Sequence, residues 1–286
     1  MPKVSAARPT RTPKLGQHFL ADDGAAIRTV EALGDISNRT VLEIGPGRGM
    51  LTSLLVRRAR RLIAIELDRV LSAQLRMNFA LASNVEIIEG DILAIDLDSV
   101  FGPKPGTRRP GIEFSPEPAM VVGNLPYYIT SDILLRLFEY RKYFDTLVLM
   151  VQREVADRLA AAPGKSDYGL LSATTLLYAK VEKLFTLPPG AFSPPPKVQS
   201  TVVRLTISPR VEQLKVPEAG FINFLKLGFG QKRKTLWNNL KERYKPDDLR
   251  TALTKAGIAP TVRAETLSLE KSAALFRALP ASSAGV

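Results

Sequence analysis

Four consecutive residues could together hold a flat nitrogen base: Asn124, Leu125, Pro126 and Tyr127. The Asn124 side chain offers both a hydrogen-bond donor and an acceptor, and the Tyr127 ring offers a stacking face. Pro126 has no N–H to donate and favours an extended Leu125, whose carbonyl stays available. The apolar run at 119–122 predicts that a strand ends at this point. Binding of a base is one interpretation, and an ordinary strand-to-helix turn is the alternative.

Three earlier predicted strands also end in residues suited to a nucleotide. The run at 40–44 leads into Gly45 and Gly47, whose small size lets the backbone approach a ligand closely. Glu66 ends the second strand and could accept two ribose hydroxyls, and Asp91 follows the third and could accept an exocyclic amino group. Ligands bind at the carboxyl edge of an open parallel sheet, so we expect these groups and Asn124 to meet there.

The glycine-rich turn itself reads Gly45-Pro46-Gly47-Arg48-Gly49 and separates a predicted strand from a predicted helix. Met50 stands where a dinucleotide-binding fingerprint requires its third glycine. A pyrophosphate-binding dehydrogenase is therefore disfavoured. A non-catalytic RNA-binding protein with a nucleotide-binding sheet remains open.

Composition narrows the class of protein further. The 286 residues carry 40 Lys and Arg against 28 Asp and Glu, a net charge of +12 that favours a polyanionic partner. There is no cysteine and one histidine, His18, so neither a thiolate nor a histidine-rich metal site is available, and we expect no metal. No apolar run is long enough for a membrane span or a signal peptide, which favours a cytoplasmic location.

The order of predicted elements indicates an α/β fold with three parts. We expect residues 1–21 to form a flexible basic arm, with an organellar transit peptide as the less favoured alternative. We expect 22–208 to form a Rossmann-like sheet domain and 209–286 a small all-helical domain. A proline- and glycine-dense insertion at 101–118 reads as a surface loop. The helical part carries a basic cluster around Trp237, interpreted as a phosphate-binding face. Its members are Lys226, Lys232, Arg233, Lys234, Lys241, Arg243 and Lys245.

A proline-stiffened loop at 188–197 joins the last two predicted strands, 181–185 and 201–205. It presents one aromatic residue, Phe192, which could form a second wall for a base, although a rigid connector uses the same residues.

Several of these segments together resemble one family, the KsgA family of bacterial small-subunit ribosomal RNA adenine dimethyltransferases. The resemblance covers most of the chain. The motifs that carry it are Gln17-His18-Phe19-Leu20, Glu43-Ile44-Gly45-Pro46-Gly47-Arg48-Gly49, Glu66-Leu67-Asp68, Gly90-Asp91, Asn124-Leu125-Pro126-Tyr127-Tyr128 and Phe192-Ser193-Pro194-Pro195-Pro196-Lys197-Val198. The large-subunit methyltransferases that confer macrolide resistance share this core, but the Phe192 loop and the basic tail are more similar to the small-subunit group.

The resemblance implies a class I methyltransferase sheet with S-adenosylmethionine as the methyl donor. It implies dimethylation of two adjacent adenines near the 3′ end of small-subunit rRNA, within a pre-30S particle, by a monomer. Positions implied to contact the donor are His18, Leu20, Gly45, Gly47, Glu66, Asp91 and Asn124. Positions implied to act on the adenine are Asn124, Leu125, Tyr127 and Phe192.

Overall fold

The computed structural model of the chain describes residues 18–102 and 117–280. Strands and helices alternate up to residue 159, a second helix and three strands follow up to residue 207, and the described residues after that contain helices but no strands. The strands are β1 (Phe19–Leu20), β2 (Thr40–Ile44), β3 (Arg61–Glu66), β4 (Val85–Glu89), β5 (Ala119–Asn124), β6 (Phe144–Gln152), β7 (Ala179–Leu187), β8 (Phe192–Ser193) and β9 (Ser200–Ile207). The helices are α1 (Asp23–Glu31), α2 (Met50–Leu55), α3 (Arg69–Asn78), α4 (Leu97–Phe101), α5 (Thr130–Glu139), α6 (Arg153–Leu159), α7 (Leu170–Tyr178), α8 (Val211–Leu214), α9 (Glu218–Gly228), α10 (Leu236–Leu240), α11 (Pro246–Ala256) and α12 (Leu269–Ala278).

Seven strands form the main sheet in the order β4-β3-β2-β5-β6-β9-β7. The five strands from β4 to β6 run parallel, whereas β9 is antiparallel to both β6 and β7. Parallel strands buried on both faces read as continuous apolar runs, as Val41–Leu42 and Met120–Val122 do. The chain moves outward from β2 to β4 on one side and from β5 to β6 on the other. A topological switch point therefore lies between β2 and β5, where ligands bind in such sheets.

Local sequence determines where α2 and α3, the helices that follow β2 and β3, begin. The Asp68 carboxylate caps α3 by accepting from the amides of Val70 and Leu71 at 2.8 and 3.1 Å. Gly49 precedes α2 with φ +86°, a left-handed conformation that a residue with a Cβ adopts only with strain. Both helices thus start directly after a strand end at the carboxyl edge.

A second, two-stranded sheet ties the start of the described chain to a distant loop. β1 pairs antiparallel with β8, with Phe19 opposite Ser193 and Leu20 opposite Phe192. Leu20 is buried, so the last residues of the arm predicted over 1–21 belong to the folded body. The rest of that arm, and residues 103–116 of the insertion predicted at 101–118, lie outside the described residues.

One hydrophobic core extends from the sheet into the C-terminal helices. Leu177 and Tyr178 of α7 belong to the same buried cluster as Phe221 and Phe224 of α9. Glu218 adds polar contacts at this junction, accepting from the Tyr178 hydroxyl at 2.8 Å and from Arg141 at 2.6 Å. The division into a 22–208 domain and a 209–286 domain stays a prediction, and the two segments share a packed boundary.

Candidate active site

A cavity opens at the carboxyl ends of β2, β3, β4 and β5. Eight of the predicted site residues line it: His18, Gly45, Gly47, Glu66, Asp91, Asn124, Leu125 and Tyr127. They come from four strand ends and from the segment before β1. The sheet topology, with its switch point between β2 and β5, is what brings them together.

Close packing at the glycine turn explains why a side chain is excluded there. Gly47 has φ +57°, and a Cβ at this position would stand 2.8 Å from the ring of Phe19. In the neighbouring strand, a Cβ on Gly123 would stand 2.5 Å from the Ile44 carbonyl oxygen. Neither position has room for a side chain, and Gly47 itself lines the cavity.

Glu66 holds the glycine turn in place. One carboxylate oxygen accepts from the Gly47 amide and the other from the Asp68 amide, both at 2.9 Å. Burial raises the pKa of Glu66, while these two backbone donors oppose the shift. Each oxygen keeps a further lone pair for a ligand hydroxyl.

Asp91 follows β4 by two residues and lines the cavity. Its Oδ1 accepts from the Leu93 amide at 2.9 Å. The other carboxylate oxygen can accept from an amino group. The cavity is lined by the glycine turn, by two carboxylates and by apolar side chains. It therefore suits an adenosine-containing ligand such as S-adenosylmethionine.

The Asn124 amide is oriented by the main chain of residue 18. Its Nδ2 donates to the His18 carbonyl at 2.8 Å. With the nitrogen thus engaged, Oδ1 remains as the acceptor that a ligand amino group can use. Leu125 follows with its amide donating to the Met150 carbonyl at 3.0 Å, which fixes the backbone at the strand end.

The Tyr127 ring forms one wall of the cavity. It stacks on the His18 ring with centroids 5.7 Å apart and an interplanar angle of 27°. Its hydroxyl and the Ser200 hydroxyl are hydrogen-bonded at 2.6 Å, and desolvation raises the pKa of Tyr127. The ring is thereby fixed from two sides and can stack on a planar base.

Comparison with known proteins identifies the family. The model of the ribosomal RNA adenine dimethylase family matches residues 9–280. The chain belongs to this family. A ribosomal RNA small subunit methyltransferase A from Koribacter versatilis is 56% identical over 98% of this chain and 99% of its own length. One from Acidobacterium capsulatum is 53% identical over 97% and 94%.

Solved structures agree with the dimethylase assignment. A dimethyladenosine transferase from Plasmodium falciparum has a TM-score of 0.71 at 25% identity, covering 90% of this chain and 96% of its own. The 23S rRNA methyltransferase ErmE has a TM-score of 0.65 at 27% identity, covering 91% and 99%. The dimethylase therefore has the class I methyltransferase fold predicted from its sequence, with S-adenosylmethionine as methyl donor.

Two predicted site residues do not line the cavity of the dimethylase. Leu20 and Phe192 face each other in the β1–β8 pair and are buried, 9% and 3% exposed, in the hydrophobic cluster that α1 shares with the sheet. The structure buries the Phe192 ring in this cluster, and its role as a second wall for a base stays a prediction. The ring is packed in this cluster with Leu20, its partner in the β1–β8 pair.

Two residues, one lining the cavity of the dimethylase and one buried beside it in β2, were not among the predicted site residues. Tyr128 lines the cavity and is 60% exposed, so it presents a second ring beside Tyr127. Glu43 is buried in β2, two residues before Gly45; it accepts from the Thr52 hydroxyl at 2.7 Å and has an Oε1 without a partner among the described residues. Burial raises the pKa of Glu43 to about 8. The sequence feature that could have indicated Glu43 is that it is the one acidic residue within the apolar run at 40–44.

Within 18–102 and 117–280, no group of three or more His, Asp or Glu residues is placed to hold a metal ion. None of the described helices is long and apolar enough to span a bilayer.

Proposed function

We propose that this dimethylase transfers methyl groups to N6 of two adjacent adenines near the 3′ end of small-subunit ribosomal RNA, giving N6,N6-dimethyladenosine. The observation that carries the proposal is the oriented Asn124 amide at the cavity, with its Nδ2 held by the His18 carbonyl and the Tyr127 ring beside it. The relatives named as ribosomal RNA small subunit methyltransferase A support the small subunit as substrate.

The donor would be held at the glycine turn and the two carboxylates. Glu66 would accept its ribose hydroxyls and Asp91 its exocyclic amino group, while Gly45 and Gly47 keep the backbone accessible. His18 and Asn124 would close the other end of the cavity. When bound, S-adenosylmethionine supplies an electrophilic methyl group.

Adenine N6 is a weak nucleophile because its lone pair is delocalised into the ring. The Asn124 Oδ1 and the Leu125 carbonyl would accept the two N6 hydrogens and draw the lone pair out of conjugation. Tyr127 would stack on the base and hold it in line for transfer. No strong general base is needed, because alkylation makes the N6 proton acidic. Oriented oxygens at the strand end stabilise the positive charge that develops on the nitrogen.

Affinity for the particle would come from phosphate contacts by basic side chains, chiefly Lys232, Arg233 and Lys234 before α10. All three are exposed. We place the reaction in the cytoplasm, on a pre-30S particle, with the enzyme acting as a monomer.

Methyl transfer from tritium-labelled donor to small subunits that lack the modification tests the proposal. Label is expected at two adjacent adenines near the rRNA 3′ end, located by mapping the modified nucleotides. Label elsewhere on the rRNA, or on large subunits alone, contradicts the assignment.

A further inference from the structure

Tyr128 is an exposed aromatic residue at the rim of the active site. It lines the cavity and is 60% exposed, whereas every other aromatic residue in the described part of the chain is buried or half-buried. Its side chain makes no hydrogen bond and no ring–ring contact with any residue that the structure describes. The ring therefore has no structural partner there and is available to a ligand.

The turn that carries Tyr128 is held in one conformation. It is the 3₁₀ turn Tyr127–Ile129. The Pro126 carbonyl accepts from the Ile129 amide at 3.3 Å and from the Thr130 hydroxyl at 3.0 Å, which ties the turn to the start of α5. A 3₁₀ helix has three residues per turn, so consecutive side chains point about 120° apart. One fixed turn thus offers the Tyr127 and Tyr128 rings in two directions.

Tyr128 lies on the side of the cavity assigned to the base, because it follows β5, as Asn124 and Leu125 do. The groups assigned to the donor follow β2, β3 and β4 instead. The half-buried Tyr127 ring, bonded to Ser200, is the one assigned to the target base. A base that leaves its stack also exposes a face of its neighbour, and proteins that bind single strands stack successive bases on aromatic side chains. The exposed ring next to Tyr127 suits that neighbour.

We propose that Tyr128 stacks on the base next to the adenine in the cavity. In the proposed substrate this neighbour is the second of the two adjacent adenines, so the inference rests on the proposed function for its identity. The ring holds the second adenine at the rim while the first is methylated. Tyr128 is thereby a substrate-binding residue that favours a purine at the adjoining position, because a purine has the larger stacking face.

The test pairs a change in the protein with a change in the RNA. A synthetic 3′ segment ligated to the rRNA places an abasic site at either adenine, and the RNA is assembled into small subunits. The kcat/KM for methylation of the remaining adenine is then measured. On native subunits, Tyr128→Ala should lower kcat/KM about tenfold. On subunits with an abasic neighbour, wild type and Tyr128→Ala should be equal.

Tyr128 lies on one side of the cavity, so this equality is expected for one of the two abasic substrates. A loss that is the same on native subunits and on both abasic substrates overturns the proposal, because Tyr128 then acts independently of the neighbouring base. Tyr128→Phe keeps the stacking face and should match the wild type on every substrate. A tenfold loss with Phe would assign the effect to the hydroxyl and would also overturn the proposal.

Leu135→Ala is the matched control. Leu135 is a 40% exposed apolar residue of α5 that does not line the cavity, and its truncation should leave kcat/KM unchanged on native and abasic subunits. Affinity for S-adenosylhomocysteine, measured by calorimetry, should be the same for wild type and Tyr128→Ala, which also shows that the variant is folded. Weaker binding of this ligand by folded Tyr128→Ala would place the ring in the donor site and overturn the proposal.

Failure of the proposed function gives a different result. A wild type that labels no small-subunit adenine contradicts the function itself. A wild type that labels both adenines, with Tyr128→Ala equally active on native subunits, contradicts the role of Tyr128 alone.

Discussion

The Asn124 side-chain amide donates to the main-chain carbonyl of His18 across 2.8 Å. Because the acceptor is a backbone atom, the identity of the side chain at residue 18 does not alter this contact. The bond selects one of the two orientations of the amide and leaves Oδ1 to the ligand. The residue before β1 thus sets the orientation of the Asn124 amide, whose Oδ1 is proposed to accept from adenine N6.

Asn124→Ala should lower kcat by about 10²–10³-fold, because it removes a group that acts on the developing charge at N6. Binding of small subunits should hardly change, since phosphates supply that affinity. Single-turnover methyl transfer and filter binding measure the two effects. His18→Ala serves as the comparison, because it keeps the backbone carbonyl and should lose less activity. Wild-type turnover by Asn124→Ala would refute the mechanism.

Substitutions at Tyr127 should distinguish the contribution of its ring to activity from the contribution of its hydroxyl to stability. Tyr127→Phe keeps the stacking face and loses the bond to Ser200, which should cost about 1 kcal/mol of unfolding free energy and little activity. Tyr127→Ala loses the face as well and should weaken transition-state binding by about 1–3 kcal/mol. Denaturant unfolding and kcat/KM report the two quantities. If Phe and Ala reduce kcat/KM equally, the ring does not stack on the base.

Glu43 should make stability depend on pH. Its folded-state pKa of about 8 lies above the usual 4.5. Between these values the unfolded chain loses the proton that the folded chain keeps, so the unfolding free energy falls as pH rises and levels off above pH 8. Glu43→Gln removes that ionisation and keeps an acceptor for Thr52. The variant should therefore gain in Tm relative to the wild type between pH 5 and pH 8.

Glu31→Gln is the control for this comparison, because Glu31 is exposed on α1 and the substitution removes a carboxylate in the same way. Its Tm difference from the wild type should stay constant over the same pH range. A constant difference for Glu43→Gln as well would show that Glu43 is ionised in the folded chain.

Replacing Lys232, Arg233 and Lys234 with Ala should weaken binding of small subunits and flatten its salt dependence together. Each lost phosphate contact lowers the slope of log affinity against log salt by about 0.7–0.9. Donor affinity, measured by calorimetry, should stay constant, because the donor site is at the sheet edge.

A triple variant of Arg57, Arg58 and Arg60 removes the same number of cations and serves as the control. These residues are exposed and precede β3, at the amino edge of the sheet opposite the active site. Their loss should leave the salt slope nearly intact. If both triple variants showed the same salt slope for small-subunit binding, the residues before α10 would have no specific role in that binding.

The strands of the main sheet could be predicted from the sequence, whereas the two-stranded β1–β8 sheet could not. Buried parallel strands such as β2 and β5 read as continuous apolar runs, so their ends, and the polar residues there, could be located. The strands β1 and β8 have two residues each and no periodic pattern, and they pair across more than 170 positions of chain. Phe192 was therefore expected at the base, whereas the pairing buries it. The exposure of Tyr128 depends on how a 3₁₀ turn at Tyr127–Ile129 directs its ring, which composition does not encode.

The β1–β8 pair also dictates when the active site can be completed during translation. The carbonyl of His18 is made well before β8, which pairs with the adjoining strand β1 and lies more than 170 residues further along the chain. β9, which bonds to both β6 and β7, comes later still. A nascent chain emerges from its amino end, so the glycine turn and Glu66 leave the ribosome well before the strand that anchors residue 18. The segment from residue 20 to residue 191 is thus synthesised before β8 can pair with β1, the strand that directly follows the partner of Asn124.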